Sequence, residues 1–248
     1  MRKTLLWYLQ GIVLILLVWW VLSAVLGGRI FPPPQRVLPL LCRLLSRGLA
    51  LHVAATLGRT LAALFSALAL ALPLGIAMGR VGWMDRLFSP IVYLLHPVPK
   101  IALLPVVLLL FGLTDLSRIF IVFLVLFFQI LIEIRGSVKT IPADYFRFVT
   151  TLGASGKQRV RYVIIPAILP NLFTAVRIGT GTALAVLFFA ETFFTSRGLG
   201  FFIMDSWMRV SYPEMFAGIT MMGILGFILF LGIDALERAL CPWRKRGG

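Results

Sequence analysis

Six long apolar runs constrain this chain more than any other feature of its sequence. The first covers residues 4–28, which lie between Lys3 and Arg29 and contain no charged residue. About 20 apolar residues in a helix cross a bilayer, whereas a secretory signal has a shorter apolar region. Hydrophobic residues make up 60% of the chain and charged residues 13%, which leaves too little polar surface for a soluble fold. We therefore predict an all-α integral membrane protein whose first apolar run is retained as a span.

Five further spans are predicted from the remaining runs, at residues 54–79, 87–111, 116–134, 166–192 and 213–236. Twice as many Lys and Arg residues fall on one side of this arrangement as on the other. The positive-inside rule accounts for this bias and for the net charge of +15, and no polar domain suggests a nucleic-acid partner. The bias predicts a multi-pass protein of the bacterial plasma (inner) membrane with both termini in the cytoplasm.

The chain between the first two spans has a different pattern. Residues 31–34 (FPPP) break the helix, and the next residues alternate between an apolar face and a basic face. This pattern predicts an amphipathic helix that lies in the membrane interface. We therefore expect three regions: an N-terminal span with an interfacial helix over residues 1–53, a membrane core over 54–236, and a basic cytoplasmic tail over 237–248. The two faces are Val37, Leu40, Leu41, Leu44 and Leu45 opposite Arg36, Arg43 and Arg47.

Span two carries a ribbon of small residues that lets another helix approach closely, so we predict a packing role for it. Arg59 lies near the predicted outer end of the same span, and we expect its long side chain to reach the interface. The ribbon places a small residue at every fourth position: Ala63, Ala67, Ala71, Gly75 and Gly79.

The sequence HPVPK, residues 96–100, interrupts span three, and Pro105 follows it. Broken backbone at membrane depth is buried in protein or lines a cavity, and it often forms substrate sites in transporters. Two interpretations remain open: a simple kink, or a translocation pathway that includes Pro97, Pro99 and Lys100.

Arg177 is an ionisable residue inside span five, and Glu191 closes that span. An intramembrane charge is a functional-site hypothesis by default, so both residues are further candidates for the pathway. Arg177 either attracts an anionic substrate or pairs with Glu133 or Glu191, and we favour the structural pair. Glu133 is also close enough along the chain to pair with Arg135 or Lys139.

The longest polar interruption, residues 141–170, predicts two short helices. Thr140 is the expected cap of the first helix, and Pro142 fits its first turn. Gly153 is the expected stop, and Ser155 is the expected cap of a second helix that ends before Pro166. The pattern indicates either a docking surface for a soluble partner or an ordinary connecting loop. An apolar stripe follows the first helix and three cations follow the second: Tyr145, Phe148, Val149 and Leu152, then Lys157, Arg159 and Arg161.

This stretch resembles the coupling motif of bacterial ATP-binding cassette (ABC) importer permeases, which reads Glu-Ala-Ala-x3-Gly-x9-Ile-x-Leu-Pro. Gly153 matches the glycine of the motif, nine residues separate it from Val163, and Pro166 matches the closing proline. Residues 152–155 (LGAS) are also similar to the family. The Glu-Ala-Ala triplet itself is missing, because residues 147–149 (RFV) stand in its place.

Two further motifs resemble one branch of that family, the nitrate, taurine and sulfonate permeases. Residues 96–112 (HPVPKIALLPVVLLLFG) are similar to the proline-rich signature of the branch, with Lys100 in place of a proline. Residues 198–200 (GLG), followed by Ile203, are similar to an element that follows span five in this branch. The whole chain thus resembles the membrane permease subunit of a type I ABC importer.

The resemblance implies a fold of six transmembrane helices, with a permease core over residues 54–236 and cytoplasmic coupling helices at 141–163, between spans four and five. It implies a second copy of the chain, two ABC ATP-binding subunits that hold ATP and Mg²⁺, and an extracytoplasmic solute-binding protein. Gly198, Leu199 and Gly200 would form an outer-mouth loop, and the cations Lys100 and Arg177 suggest a small anion such as nitrate, taurine or another sulfonate. The implied ATPase-coupling residues are Asp144, Tyr145, Arg147, Phe148, Val149, Leu152, Gly153, Ala154, Ser155, Lys157 and Arg159.

Several kinds of chemistry are not indicated. The sequence contains no Gly-x4-Gly-Lys-Ser/Thr phosphate loop, so we predict that ATP hydrolysis resides in another subunit. His52 and His96 lie far apart without ligand neighbours, so no metal site is predicted, and no Ser/His/Asp arrangement indicates an enzyme. Three alternatives remain open: an ion-gradient-driven secondary transporter, a membrane-embedded enzyme, and a permease of the same branch that carries a vitamin precursor.

Overall fold

The structure is a computed structural model that describes residues 2–193 and 195–243. Within these residues every regular element is helical, and short π and 3₁₀ turns join some of the α-helices. The α-helices are α1 Arg2–Leu26, α2 Pro34–Leu44, α3 Ala50–Arg80, α4 Gly82–Leu95, α5 Leu104–Phe111, α6 Asp115–Lys139, α7 Ala143–Thr151, α8 Gly156–Arg159, α9 Ile165–Thr192, α10 Leu199–Met208 and α11 Tyr212–Leu240.

The predicted membrane spans are present as helices. Five segments, which contain α1, α3, α6, α9 and α11, are long and apolar enough to cross a bilayer. The pair α4 and α5 forms a sixth span that is bent by 82° at the break between them. The predicted all-α membrane fold with six spans, of which the third is broken, is therefore confirmed.

Helix α2 has the predicted amphipathic pattern. Val37 and Leu41 are buried, and the three arginines of the opposite face are exposed. The chain itself covers part of the apolar face, since Leu40, Leu44 and Leu45 are half-buried, and the placement of α2 in the membrane interface stays a prediction. Gly48, with φ +113°, then breaks the helical path, so that α3 starts in a new direction at Ala50.

The chain divides into two compact units. The first contains Met1–Thr56 and Glu191–Ile224, and the second contains Leu57–Ala190 and Leu225–Gly248. The core of the second unit is centred on α6, where Ile121, Leu126 and Ile130 are fully buried. The region boundaries expected at residues 53 and 236 stay predictions.

The ribbon of small residues on α3 packs against α6. A Cβ atom added to Gly75 would lie 2.8 Å from Ile134 Cγ2, and one added to Gly79 would lie 2.6 Å from Val138 Cβ. No side chain fits in that space, so the two backbones approach each other as closely as glycine allows. The predicted packing role of the ribbon is confirmed, and Ala63, Ala67 and Ala71 are fully buried.

Ion pairs also hold α6 to its neighbours, and their partners differ from those expected. On α4, Asp85 accepts hydrogen bonds from Arg135, at 2.5 Å, and from Lys139. The expected pairing of these two cations with Glu133 is wrong, because Glu133 is exposed and points to neither of them. The sequence order hid this arrangement, since Asp85 lies 50 residues from Arg135.

Arg59 is buried by the chain and paired with a carboxylate. Its side chain is only 5% exposed and lies 2.6 Å from Asp115 at the start of α6. A buried guanidinium needs a carboxylate partner, and Asp115, which is 65% exposed, supplies one inside the same unit. That Arg59 reaches the membrane interface stays a prediction.

Candidate functional site

Helix α7 begins without the predicted cap. Its N-cap is Pro142, which has no side-chain hydrogen bond, and Thr140 instead ends α6. The Thr140 hydroxyl donates to the Ser137 carbonyl at 2.9 Å, and its backbone N–H donates to Gly136. The prediction that Thr140 caps α7 is therefore wrong.

The apolar stripe of α7 is left uncovered by its own chain. Tyr145 is 62% exposed, Phe148 65% and Leu152 71%, whereas Val149 is half-buried. A soluble protein surface rarely shows three large apolar side chains in one row without a partner for them. The stripe is thus a candidate contact surface.

Phe146 anchors α7 to the rest of the second unit, and sequence reasoning missed it. It is the buried residue of α7, at 8% exposure, and the Arg80 guanidinium carbon lies 3.6 Å from the centroid of its ring. The contact is a cation–π interaction between the end of α3 and α7. A nine-residue helix is too short for periodicity to separate its two apolar faces, so this role could not be predicted from the sequence.

The turn after α7 has the predicted glycine geometry. Gly153 has φ +77°, and its N–H donates to Thr150 at 2.9 Å while the Ala154 N–H donates to Val149 at 3.0 Å. Ser155 and Gln158 form a capping box at the start of α8. Both predicted signals, the glycine stop and the serine cap, are confirmed.

The second, basic helix does not end before Pro166. Helix α8 passes through a π-helical turn, Val160–Ile164, directly into α9. Pro166 lies just after the π turn, where the regular i→i−4 bonding is already interrupted and a residue without an N–H is accommodated. The predicted separate helix is therefore continuous with the helix of span five, with Lys157 and Arg161 exposed on it.

A cleft of about 510 Å³ adjoins the stripe. Tyr145 and Val149 of the stripe line it, together with Tyr162 and with Trp243 at the end of the described chain. Asn171 also lines the cleft, and its side-chain amide donates to the Ser137 hydroxyl at 2.9 Å and ties α9 to α6.

The break in span three is confirmed, and Lys100 stabilises it. Its ammonium group donates to the carbonyls of Leu95, at 2.8 Å, and of His96, at the end of α4. Pro97 and Pro99 are exposed at the break. Whether these residues line a pathway stays a prediction, since the geometry shows an accessible break with a cation beside it.

Arg177 forms a structural pair, as we favoured, but with other partners than Glu133 and Glu191. Its Nε donates to Asp234 at 2.8 Å, and an Nη atom donates to Glu237 at 2.6 Å. Both carboxylates belong to α11, 57 and 60 residues away. The two carboxylates carry more negative charge than the guanidinium carries positive charge. Arg177 is therefore not available as an unpaired cation for an anionic solute.

Glu191 is fully buried in the first unit and holds the Gly-Leu-Gly segment, in which Gly198 is the N-cap of α10 and Leu199 and Gly200 form its first turn, so only Gly198 lies in a loop. The Thr56 hydroxyl lies 2.9 Å from one carboxylate oxygen, and the Gly200 N–H donates to the same oxygen at 2.9 Å. Gly198 has φ +128°, and a Cβ atom there would lie 2.5 Å from Glu191 Oε2. The structure thus places Glu191 against the loop rather than at an accessible surface.

Two residues that contact Glu191 or the Gly198–Gly200 segment were missed from the sequence, Thr56 and His52. Thr56 accepts from the Leu199 N–H at 2.8 Å, and His52 Nδ1 lies 3.2 Å from the Gly198 nitrogen. His52 and Gly198 are 146 residues apart, so no spacing rule links them. In the part of the chain that the structure describes, no group of three or more His, Cys, Asp or Glu residues is arranged to hold a metal ion.

Comparison with known proteins identifies relatives over most of the chain. Residues 71–246 match the profile of the family described as "Binding-protein-dependent transport system inner membrane component". The taurine transport system permease protein TauC of Escherichia coli is 34% identical over 237 residues, which cover 92% of this chain and 86% of that protein. The nitrate import permease protein NrtB of Synechocystis is 29% identical over 246 residues, covering 95% and 89%.

Among solved structures, an inward-facing conformation of the MetNI methionine ABC transporter contains a similar chain. The match has a TM-score of 0.67 at 23% identity and covers 79% of this chain and 97% of the other. At this identity the likeness shows the fold, which is that of a type I ABC importer permease.

Proposed function

This chain belongs to the family of binding-protein-dependent transport system inner membrane components, and we propose that it forms one half of an ATP-driven import pathway. It is a multi-pass ABC importer permease of the taurine, nitrate and sulfonate branch, and thus a transport protein and not an enzyme. In this proposal two copies enclose the pathway, two ABC ATP-binding subunits drive them, and an extracytoplasmic binding protein delivers the solute.

The exposed stripe on α7 is the observation that carries the proposal. Tyr145, Phe148 and Leu152 are each more than 60% exposed, on a helix whose one buried side chain, Phe146, points elsewhere. An amphipathic helix of this kind docks its apolar face into a groove of a partner. The partner is the ATP-binding subunit, which holds ATP and Mg²⁺, since this sequence has no phosphate loop.

The elements around the stripe suit the transmission of a movement. Hydrogen bonds close the turn at Gly153 and the capping box at Ser155, so the connection between α7 and α8 is rigid. Helix α8 then continues into α9 without a break. If nucleotide binding displaces α7, the inner end of span five would therefore move with it. In this way nucleotide would favour one of two conformational states of the assembly.

The solute is proposed to be a small anion or sulfonate, as the names of the two relatives suggest. Lys100 is the better candidate contact, because Arg177 is neutralised by Asp234 and Glu237. Pro97 and Pro99 keep the backbone of the break open beside it. Glu191 is better assigned to holding the outer-mouth loop of Gly198, Leu199 and Gly200 than to contact with the solute.

The orientation is proposed from the distribution of charge. The coupling region and both termini lie in the cytoplasm, because Lys and Arg residues concentrate there by the positive-inside rule. The loop at residues 198–200 then lies on the opposite side, where the binding protein would dock.

The test is retention of the ATP-binding subunit during purification of the tagged chain from its native membrane. Phe148→Asp places a charge in the centre of the stripe and should reduce the retained subunit about tenfold or more, since burial of an unpaired charge is costly. Ala143→Asp is the matched control, because it adds the same charge to an exposed position of α7 outside the stripe. An acidic residue in the first turn of a helix is favourable, so this variant should fold and retain the subunit.

Two results would contradict the proposal. One is an unchanged yield of the ATP-binding subunit with Phe148→Asp when the variant is purified at normal amounts. The other is the absence of any nucleotide-binding protein from the purified wild-type complex.

A further inference from the structure

A groove of about 440 Å³ follows one face of α3 at its last turns. Its lining is apolar apart from a single arginine: Leu72, Pro73, Ile76, Ala77, Val81 and Val160, with Arg80. The residues of α3 recur at intervals of four, so the groove follows the helix axis for about 12 Å. The groove extends from α3, a membrane span, to the π turn Val160–Ile164, which precedes α9.

Arg80 is the polar end of this groove. Its side chain is exposed, and no carboxylate among the described residues forms an ion pair with it. By contrast Arg59, Arg135 and Arg177 each contact an aspartate. The ring of Phe146, 3.6 Å away, holds the guanidinium in place without neutralising its charge. An ordered, uncompensated cation at the mouth of an apolar groove is complementary to an amphiphile with an anionic head.

We propose that this groove binds an anionic phospholipid, with an acyl chain along α3 and the headgroup phosphate at Arg80. The chain crosses a bilayer, so lipid is the apolar material that is always present beside α3. Basic pockets between spans bind such headgroups, and guanidinium groups match phosphate geometry. The site is independent of the proposed transport function, but the lipid would contact the residue that anchors α7, Phe146, through Arg80.

The first test measures lipid retention by native mass spectrometry of the purified complex, titrated with phosphatidylglycerol or phosphatidylcholine of identical acyl chains. The wild type should retain phosphatidylglycerol preferentially. Arg80→Gln should reduce that preference roughly fivefold, which corresponds to about 1 kcal/mol per basic residue at a membrane surface. Arg80→Lys, which keeps the charge, should retain most of the preference.

Arg86→Gln is the matched control. Arg86 is an exposed arginine near the start of α4 that contacts only a backbone carbonyl, that of Gly82, and does not line the groove. It should leave the lipid preference unchanged. Equal losses in Arg80→Gln and Arg86→Gln would overturn the proposal, because the preference would then reflect general surface charge.

The second test identifies the occupant directly. A photoreactive residue introduced by Val81→benzoylphenylalanine, at the rim of the groove, should form an adduct with phospholipid in native membranes. An adduct with a second copy of the chain, or with another protein, would overturn the proposal, because the groove would then be a protein interface.

Discussion

At the scale of single residues, Glu191 and Gly198 form one arrangement. The buried carboxylate accepts hydrogen bonds from Thr56 and from the Gly200 N–H, and the glycine backbone passes close enough to exclude any Cβ atom. With φ +128° and ψ 155°, Gly198 also adopts a backbone conformation that is essentially restricted to glycine. The loop therefore depends on a glycine and a carboxylate together.

Gly198→Ala should destabilise the protein by about 3 kcal/mol, from backbone strain and from the clash with Glu191. For a chain of this length that corresponds to a fall of about 6–12 °C in the apparent melting temperature in detergent. Gly223→Ala is the control, because nothing lies within 4 Å of the added methyl group on α11. Equal melting temperatures for the two variants would mean that the loop does not have this geometry.

Lys100→Gln should reduce the uptake of a small anionic solute about tenfold, mainly through a higher KM, because a charged hydrogen bond is lost. Lys100→Arg should retain much of the uptake, since it keeps the charge. His96→Gln, at an exposed position in the same break, is the control and should behave as the wild type. Normal KM values for Lys100→Gln would remove Lys100 from the pathway.

Residue roles were predictable from the sequence where partner and residue are close along the chain. Ser155 and Gln158 are three residues apart, and the role of Gly153 depends only on its own backbone angle. The serine cap and the glycine stop could therefore be predicted from local sequence preferences. Arg177 and Asp234 are 57 residues apart, and only the packing of α9 against α11 brings them together. The sequence could indicate that Arg177 needs a carboxylate, but not which one.

At the scale of elements, the proposed ATPase-coupling segment, α7 to α9, is a short helix attached to a long one. Helix α7 has one buried residue, Phe146, and one half-buried residue, Val149, and its other residues are exposed. Helices α8 and α9 are continuous through the π turn Val160–Ile164, which the sequence did not reveal because Pro166 suggested a stop. Beside a π turn the regular i→i−4 bonding is already interrupted, so a proline there does not end the helix.

Gly153→Val should uncouple ATP hydrolysis from transport. A β-branched residue at φ +77° is strained by about 1–2 kcal/mol or more, and that strain would displace α7 from its position relative to α8. Gly156→Val is the matched control, because both glycines have open space but only Gly153 has a positive φ. The measurement is the number of ATP molecules hydrolysed per solute transported, which should rise for Gly153→Val alone. An equal ratio in both variants would contradict this role of the turn.

At the scale of the whole molecule, hydropathy was sufficient to predict six spans and the break in the third. Apolar runs of this length have few alternatives in a bilayer, and the ribbon on α3 correctly indicated a close helix contact. The contacts of α2 were less predictable, because an amphipathic pattern does not say whether lipid or protein covers the apolar face. The spans and their contacts do not indicate the energy source. The proposal for the energy source rests on the apolar stripe that α7 exposes.

The most direct measurement of the central claim is solute uptake by proteoliposomes that contain the complex purified from native membranes. With binding protein and taurine or nitrate outside, we expect uptake only when ATP and Mg²⁺ are present on the side of α7, and none with ion gradients alone. Uptake by the isolated chain, driven by an ion gradient without nucleotide, would contradict the account.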